Sequence, residues 1–336
     1  MTAMHPMLAL FRRNEWANQR LLDFCAQQPA EVAAAPAEGD VYGGIDAQFT
    51  HMVSAETGYL PWITGRRRED RISGDTPLRL EELREPMRWA GTQWPEALDF
   101  DRDPEEVFQV QRRSGQSAMT DWLALLQLLH HGDDHRNQVA TVLSRHGIEP
   151  PELDCWAFAA AAGSVEAESG DGRTGRRDAV LRRAFGHHIW ATSKMLERCV
   201  EMTSDQLGLT APGTFGSILD TLDHLVSSDR SYLSRLQGHG RQPPLNAGAI
   251  GPLLEHFSRS AEGWLAYLDS QPDFGALIPL RTGGEAPAWV VVMQAVHHGN
   301  DHRTHVGTAL MHNGLDTPDL DPWEYALAVG ALEVKP

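Results

Sequence analysis

The ten residues His130-His131-Gly132-Asp133-Asp134-His135-Arg136-Asn137-Gln138-Val139 return as His297-His298-Gly299-Asn300-Asp301-His302-Arg303-Thr304-His305-Val306 after a constant shift of 167 positions. Identity continues through Gly147/Gly314, Pro151/Pro318, Asp154/Asp321 and Trp156/Trp323, so 15 of the 30 positions from Gln127 to Trp156 are the same in both copies. A register held that long restricts the chain to one unit built twice, each carrying a His-x-x-x-His element. With 336 residues in all, each copy is long enough to bury a core of its own.

Three earlier blocks also recur. Phe11, Trp16, Leu22 and Cys25 pair with Phe185, Trp190, Leu196 and Cys199, and His51, Tyr59, Leu60 and Gly65 pair with His224, Tyr232, Leu233 and Gly238. Trp94, Leu98 and Asp99 pair with Trp264, Leu268 and Asp269, and Trp122 with Trp289 opens the histidine block. Apolar residues at these spacings line one face of a helix, so each half reads as four helices and the chain as all-α, two tandem four-helix bundles. Ser217 or Thr214 is suited to cap the second helix of the second copy. Pro287 suits a first helical turn, while Gly147 and Gly314 sit where a helix ends. Val107 to Val110 and Ala276 to Leu280 suggest a minor hairpin before each fourth helix. The small, polar, glycine-bearing run 159–177 reads as a linker between domains at 1–158 and 178–336.

The net charge of −17 would repel a phosphate backbone, which argues against nucleic acid as a partner. No apolar run approaches the roughly 20 residues of a membrane span, and Arg12, Arg13 and Glu15 are too polar for a secretory signal, so a cytoplasmic address is expected. Cys25, Cys155 and Cys199 form no CxxC pair and read as buried thiols. The run Arg66 to Asp70 reads as a solvated loop.

Residues four apart on a helix share a face, so His131 and His135, and again His298 and His302, can aim two imidazoles at one point inside an apolar seam. His51 or His224 offers a third nitrogen from another helix. Three neutral imidazoles suit a zinc- or nickel-class divalent cation and leave a coordination position open. The competing reading is a set of core histidines satisfied by hydrogen bonds alone. His130 and His297, about 100° round the helix, read as packing groups or supports for the ligands. Gly132 and Gly299 cost about 1 kcal/mol each inside a helix, which suggests that something approaches closely there. Asp134 and Asp301 are expected either to orient an imidazole or to pair with Arg136 and Arg303. Glu56 and Asp229 are expected on a solvated face in preference to supporting a ligand or acting as a general base, and Tyr59 and Tyr232 in core packing or along a pocket. Gln138 becomes His305 in the second copy, which marks a difference between the two sites and a possible fourth ligand.

The opening Asn14-Glu15-Trp16-Ala17-Asn18-Gln19-Arg20-Leu21-Leu22, the second-helix histidine and the HHxxxHR motif together resemble the DinB superfamily in both halves. The second copy keeps Trp190-Ala191 and departs from the pattern at Thr192. The resemblance implies up-down-down-up four-helix bundles, each holding a divalent metal through His51, His131 and His135, or through His224, His298 and His302. Some members of that superfamily resemble thiol-dependent S-transferases or isomerases that use mycothiol or bacillithiol. The expected protein is therefore a metal-dependent enzyme that activates a low-molecular-weight thiol or water against a small-molecule substrate. The alternative is a non-catalytic metal-binding or stress-response module. Duplication further suggests that the two halves pack as an intramolecular pseudo-dimer.

Overall fold

A computed structural model describes residues 4–35, 43–112, 115–162, 174–280 and 283–332. The first copy contributes α1 (Pro6–Cys25), α2 (Ala30–Ala33), α3 (Ile45–Thr64), α4 (Leu80–Leu98), β1 (Phe108–Arg112), β2 (Gly115–Met119), α5 (Asp121–Arg145) and α6 (Cys155–Ala162). The second contributes α7 (Thr174–Cys199), α8 (Ser204–Leu207), α9 (Ile218–Leu236), α10 (Ile250–Asp269), β3 (Leu277–Pro279), β4 (Glu285–Pro287), α11 (Ala288–His312) and α12 (Pro322–Ala328). The four long helices of each copy are those expected from the recurring blocks. Both hairpins form as antiparallel pairs, β1 with β2 and β3 with β4. Among the described residues no helix is long and apolar enough to cross a membrane.

Local chemistry sets the ends of these helices. Ser217, not Thr214, caps α9, its hydroxyl accepting the Asp220 amide at 3.1 Å. Thr120 does the same for α5 through the Leu123 amide. Pro287 ends a strand and stands at the cap of α11 rather than inside its first turn, because the hairpin holds it in extended backbone. Gly147 and Gly314 both follow a helix end at φ +70°, a left-handed conformation that glycine adopts without a Cβ clash.

In the first bundle α3 packs against α4 and α5, and Phe49, Met52 and Val53 of α3 meet Leu83 and Met87 of α4 and Val139, Val142 and Leu143 of α5 in one apolar cluster. In the second, α9 packs in the same way against α10 and α11. The stretch read as a linker is partly helical: residues 159–162 close α6, residues 174–177 open α7, and the rest lies outside the described residues.

The compact units take segments from both ends of the repeat. One comprises Leu10–Leu153, Gly172–Val180 and Leu320–Pro336; the other comprises Met1–Ala9, Asp154–Asp171 and Leu181–Asp319. In the first, Asp121 is fully buried and paired with Arg102 and with Arg176 (2.9 Å), Arg177 pairs with Asp99 (2.6 Å), and Tyr325 of α12 sets its ring edge on Trp122. In the second, α6 packs on α11, with the Cys155 amide donating to Gln294 Oε1 at 3.2 Å. Each bundle is thus completed by the short helix that follows the other copy's histidine helix. Fragments 1–162 and 174–336 made separately should each unfold at a lower urea concentration than the intact chain and recover on mixing. Fragments that unfold at the intact chain's midpoints would contradict this exchange.

Candidate metal centres

The histidine helices α5 and α11 are buried along most of their length, so their polar residues must find partners inside the bundle. His51 on α3 meets His131 and His135 on α5: the Nε2 atoms of His131 and His51 lie 2.8 Å apart, and those of His135 and His131 3.1 Å apart. In the second bundle His298 Nε2 and His224 Nε2 lie 3.1 Å apart, with the His302 ring 4.9 Å from that of His224. All six histidines singled out from sequence are brought together, three in each bundle, with their ligand atoms within 4.8 Å of one another.

Burial decides the protonation of these rings. Desolvation, followed by neighbouring imidazoles, pushes His131 and His298 well below the usual histidine range. Burial brings His135 down to about 4 and His302 to about 3, and it lowers His224 as well. Neutral rings with free lone pairs are what a metal requires.

The hydrogen-bond partners support the same reading. His135 Nδ1 faces two carbonyl oxygens, Gln48 Oε1 and Gln138 Oε1 (2.9 Å), and neither can donate. His135 therefore carries its proton on Nδ1 and points a bare Nε2 at the Nε2 atoms of His131 and His51. One ring proton can satisfy only one of the facing lone pairs, so hydrogen bonding alone leaves the cluster mismatched. A cation about 2.0 to 2.1 Å from each nitrogen would satisfy all three and separate them by about 3.3 Å, close to what is observed.

Directly beneath each triad lies a buried polar network that sequence reading missed. In the first bundle Arg136 donates to the side-chain oxygens of Asn14 (2.7 Å) and Asn18 and pairs with Asp133, which also pairs with Arg13. The same asparagines donate to Glu56 Oε1 at 3.2 and 2.8 Å. In the second bundle Arg303 reaches His188 Nδ1 (3.2 Å), Thr192 (2.8 Å) and Asn300, while Asp229 accepts from His188 (3.0 Å) and Trp264 (3.0 Å). Glu56 and Asp229 are each 2% exposed, so the solvated face expected for them is wrong. An acid toward the middle of a helix is uninformative until its partners on another helix are known. Arg136 takes Asp133, not Asp134; Asp134 lies 3.4 Å from His130.

This network explains the helical glycines. A Cβ on Gly132 would sit 2.5 Å from Asn14 Oδ1, and one on Gly299 would sit 2.3 Å from His188 Nδ1.

The surroundings of the two triads differ. A cavity of about 970 Å³ reaches the second triad at His224, with Trp156, Tyr232, Arg235 and Arg241 in its wall. Burial pushes the Tyr232 hydroxyl up to about 12, and Gln294 and Trp156 hydrogen-bond to it. Phe215 is 52% exposed and stacks on His224 with ring centroids 4.4 Å apart, a neighbour that no periodicity announced. Its counterpart by register, Tyr42, lies outside the described residues. The groove at the matching place in the first bundle, beside Ser54 and Arg68, holds about 310 Å³. Arg68 there pairs with Asp70 (2.8 Å) and Glu85 (2.7 Å), as expected of a solvated charged loop. The thiols of Cys25, Cys155 and Cys199 are all buried and unbridged.

Two tandem helical bundles, each converging three imidazoles from two helices, define a class of repeated histidine-site proteins. The DinB family profile matches residues 3–171 and the DinB superfamily profile matches residues 187–306; the chain belongs to the DinB superfamily and carries two such domains. Membership and the histidine clusters together suggest metal binding. No curated protein and no solved structure matches the chain.

Two consequences are measurable. Gly132→Ala gains about 1 kcal/mol of helix propensity but forces apart a network with no slack, so a net loss of about 1–2 kcal/mol is expected in urea unfolding. A stabilised variant would refute the close-approach argument. Desolvation raises the Glu56 carboxyl from 4.5 to about 7. Stability from its protonated form is therefore complete below pH 4.5 and is lost as pH rises toward 7. Glu56→Gln should flatten that part of the stability profile, and identical slopes in variant and parent would count against it.

Proposed function

We propose that the chain is a metal-dependent enzyme that activates a low-molecular-weight thiol or water for attack on a small electrophile, with the second bundle as the principal reaction centre. The observation that carries this reading is the cavity of about 970 Å³ opening onto His224, one of three converging imidazoles. His224, His298 and His302 would hold the cation, as would His51, His131 and His135 in the first bundle. A zinc- or nickel-class ion on three neutral imidazoles supplies Lewis acidity, either binding a thiolate or lowering the pKa of bound water to about 7.

The chain's own side chains would do the rest. Trp156, Leu219 and Leu280 would offer a substrate apolar surface in the cavity that reaches His224. Tyr232 stays protonated and packs at right angles to His298, with ring centroids 5.7 Å apart. With Gln294 and Trp156 donating to its oxygen, the hydroxyl proton remains available for a bound substrate. Arg235 and Arg241 share the cavity wall with Asp220 and Asp223, so it offers charged groups of both signs to a substrate.

The test is turnover of a panel of small electrophiles with a panel of low-molecular-weight thiols, and with water alone, on the metal-loaded chain. His298→Ala should abolish turnover and His131→Ala should leave most of it. Each substitution should also lower bound metal by one equivalent. Metal bound at the triads without any thiol- or water-dependent reaction would leave the non-catalytic binding module as the correct description.

A further inference from the structure

The two triads differ in how the outer nitrogen of one ligand is held. In the first bundle His135 Nδ1 is matched by the carbonyls of Gln48 and Gln138. In the second bundle Thr221 and His305 stand at those two places. Thr221 turns its hydroxyl away to donate to the Ser217 carbonyl at 2.8 Å. His302 is 5% exposed, and its Nδ1 makes no hydrogen bond among the described residues; nor does the buried Nδ1 of His305. An imidazole nitrogen buried without a partner is costly, and here two occur one helical turn apart.

A carboxylate completes the set. Asp301, His302 and His305 bring one ligand atom each within 4.8 Å of one another, the same limit that the two triads meet. Asp301 and His305 are half-buried, so the set can be reached from solvent, whereas His302, which also belongs to the triad, is buried. The matching first-bundle positions are Asp134, His135 and Gln138, and Gln138 lacks the second imidazole.

We propose that the second bundle carries an additional divalent-cation position beside its triad, formed by Asp301, the Nδ1 side of His302 and His305. Two imidazole nitrogens and one carboxylate oxygen select a zinc- or copper-class cation over magnesium or calcium, which prefer all-oxygen shells. Binding at His302 Nδ1 displaces the proton that the neutral ring carries there to solvent. The resulting negative ring and the Asp301 carboxylate together balance a doubly charged ion, so the filled site is neutral. His305 is then the residue that makes the second copy different in metal stoichiometry, and the first copy cannot reproduce the site.

The test is titration of the chelator-stripped full chain with Zn2+ alone, by calorimetry and by elemental analysis after desalting. Three equivalents are expected for the parent. His305→Gln, which installs the residue found at the matching first-copy position, should bind two; Asp301→Asn should weaken the same equivalent at least tenfold. Circular dichroism and the melting midpoint establish that each variant is folded, and Asp301→Asn serves alone should His305→Gln fail to fold. A parent that binds two equivalents, both lost on substitution of His131 and His298, overturns this site and leaves the triads standing. A parent that binds three, with both variants unchanged, also overturns it. No bound Zn2+ at all would remove this site and the triads together.

Discussion

The buried arginine that follows the last motif histidine is the interaction on which each bundle depends. Arg136 and Arg303 are each 3% exposed, and their guanidiniums would be prohibitively costly there without the oxygens and charges gathered round them. Meeting that requirement draws Asn14 and Asn18 of α1, Glu56 of α3 and Asp133 of α5 to one point. Three helices are thereby fixed in register just beneath the histidines, and the triad geometry is inherited from that register. The glycine within the motif follows from the same demand, since α1 cannot carry its asparagine past a Cβ at position 132. Part of what looks like a metal motif is therefore a docking motif, in which the histidines face one way and the glycine and arginine another.

The second bundle meets the same demand with different residues, and the exchanges compensate one another. Arg13 and Asp133 form a buried ion pair; the matching positions hold His187 and Asn300, so one positive and one negative group disappear together. Asn14 and Asn18 become His188 and Thr192, and the acid shortens from Glu56 to Asp229 while Trp264 adds a donor. Paired loss of opposite charges is what a low-dielectric interior requires, because deleting one partner would strand the other. The departure of the second copy from the opening pattern, at Thr192, is thus a change within the arginine's shell and touches no triad histidine.

Much of this was legible in the residues themselves. Helical periodicity and the duplicated blocks were enough for the long helices, and the four-residue spacing of His131/His135 and His298/His302 was enough to place two imidazoles on one face. His51 and His224 were reachable because each recurs alone within its block. Glu56 and Asp229 were misjudged, since burial of an acid is decided by the donors across from it and not by its own helix. The exchanged helices α6 and α12 were also invisible: Trp156 and Trp323 recur as a pair, but nothing local says which bundle each helix completes. Phe215 over His224 belongs to the same kind, a contact made by a loop residue in no periodic pattern.

Duplication leaves two copies free to diverge, and the direction of divergence can be read from the outer nitrogens of the ligands. In the first bundle Gln48 and Gln138 both accept from His135, which locks its tautomer and ring orientation as metal sites usually demand. The adjoining groove is lined by Arg67, Arg68 and Arg71, and Arg68 spends its charge on Asp70 and Glu85. In the second bundle the amide pair is gone, the ring neighbour is His305 with centroids 5.5 Å apart, and the cavity wall holds Arg241 and Tyr232 instead. An imidazole whose outer nitrogen is held by two carbonyls is fixed in tautomer and orientation, whereas the outer nitrogen of His302 makes no hydrogen bond among the described residues. The first copy's triad is therefore the more firmly held of the two, and the second copy's is the one that the large cavity reaches.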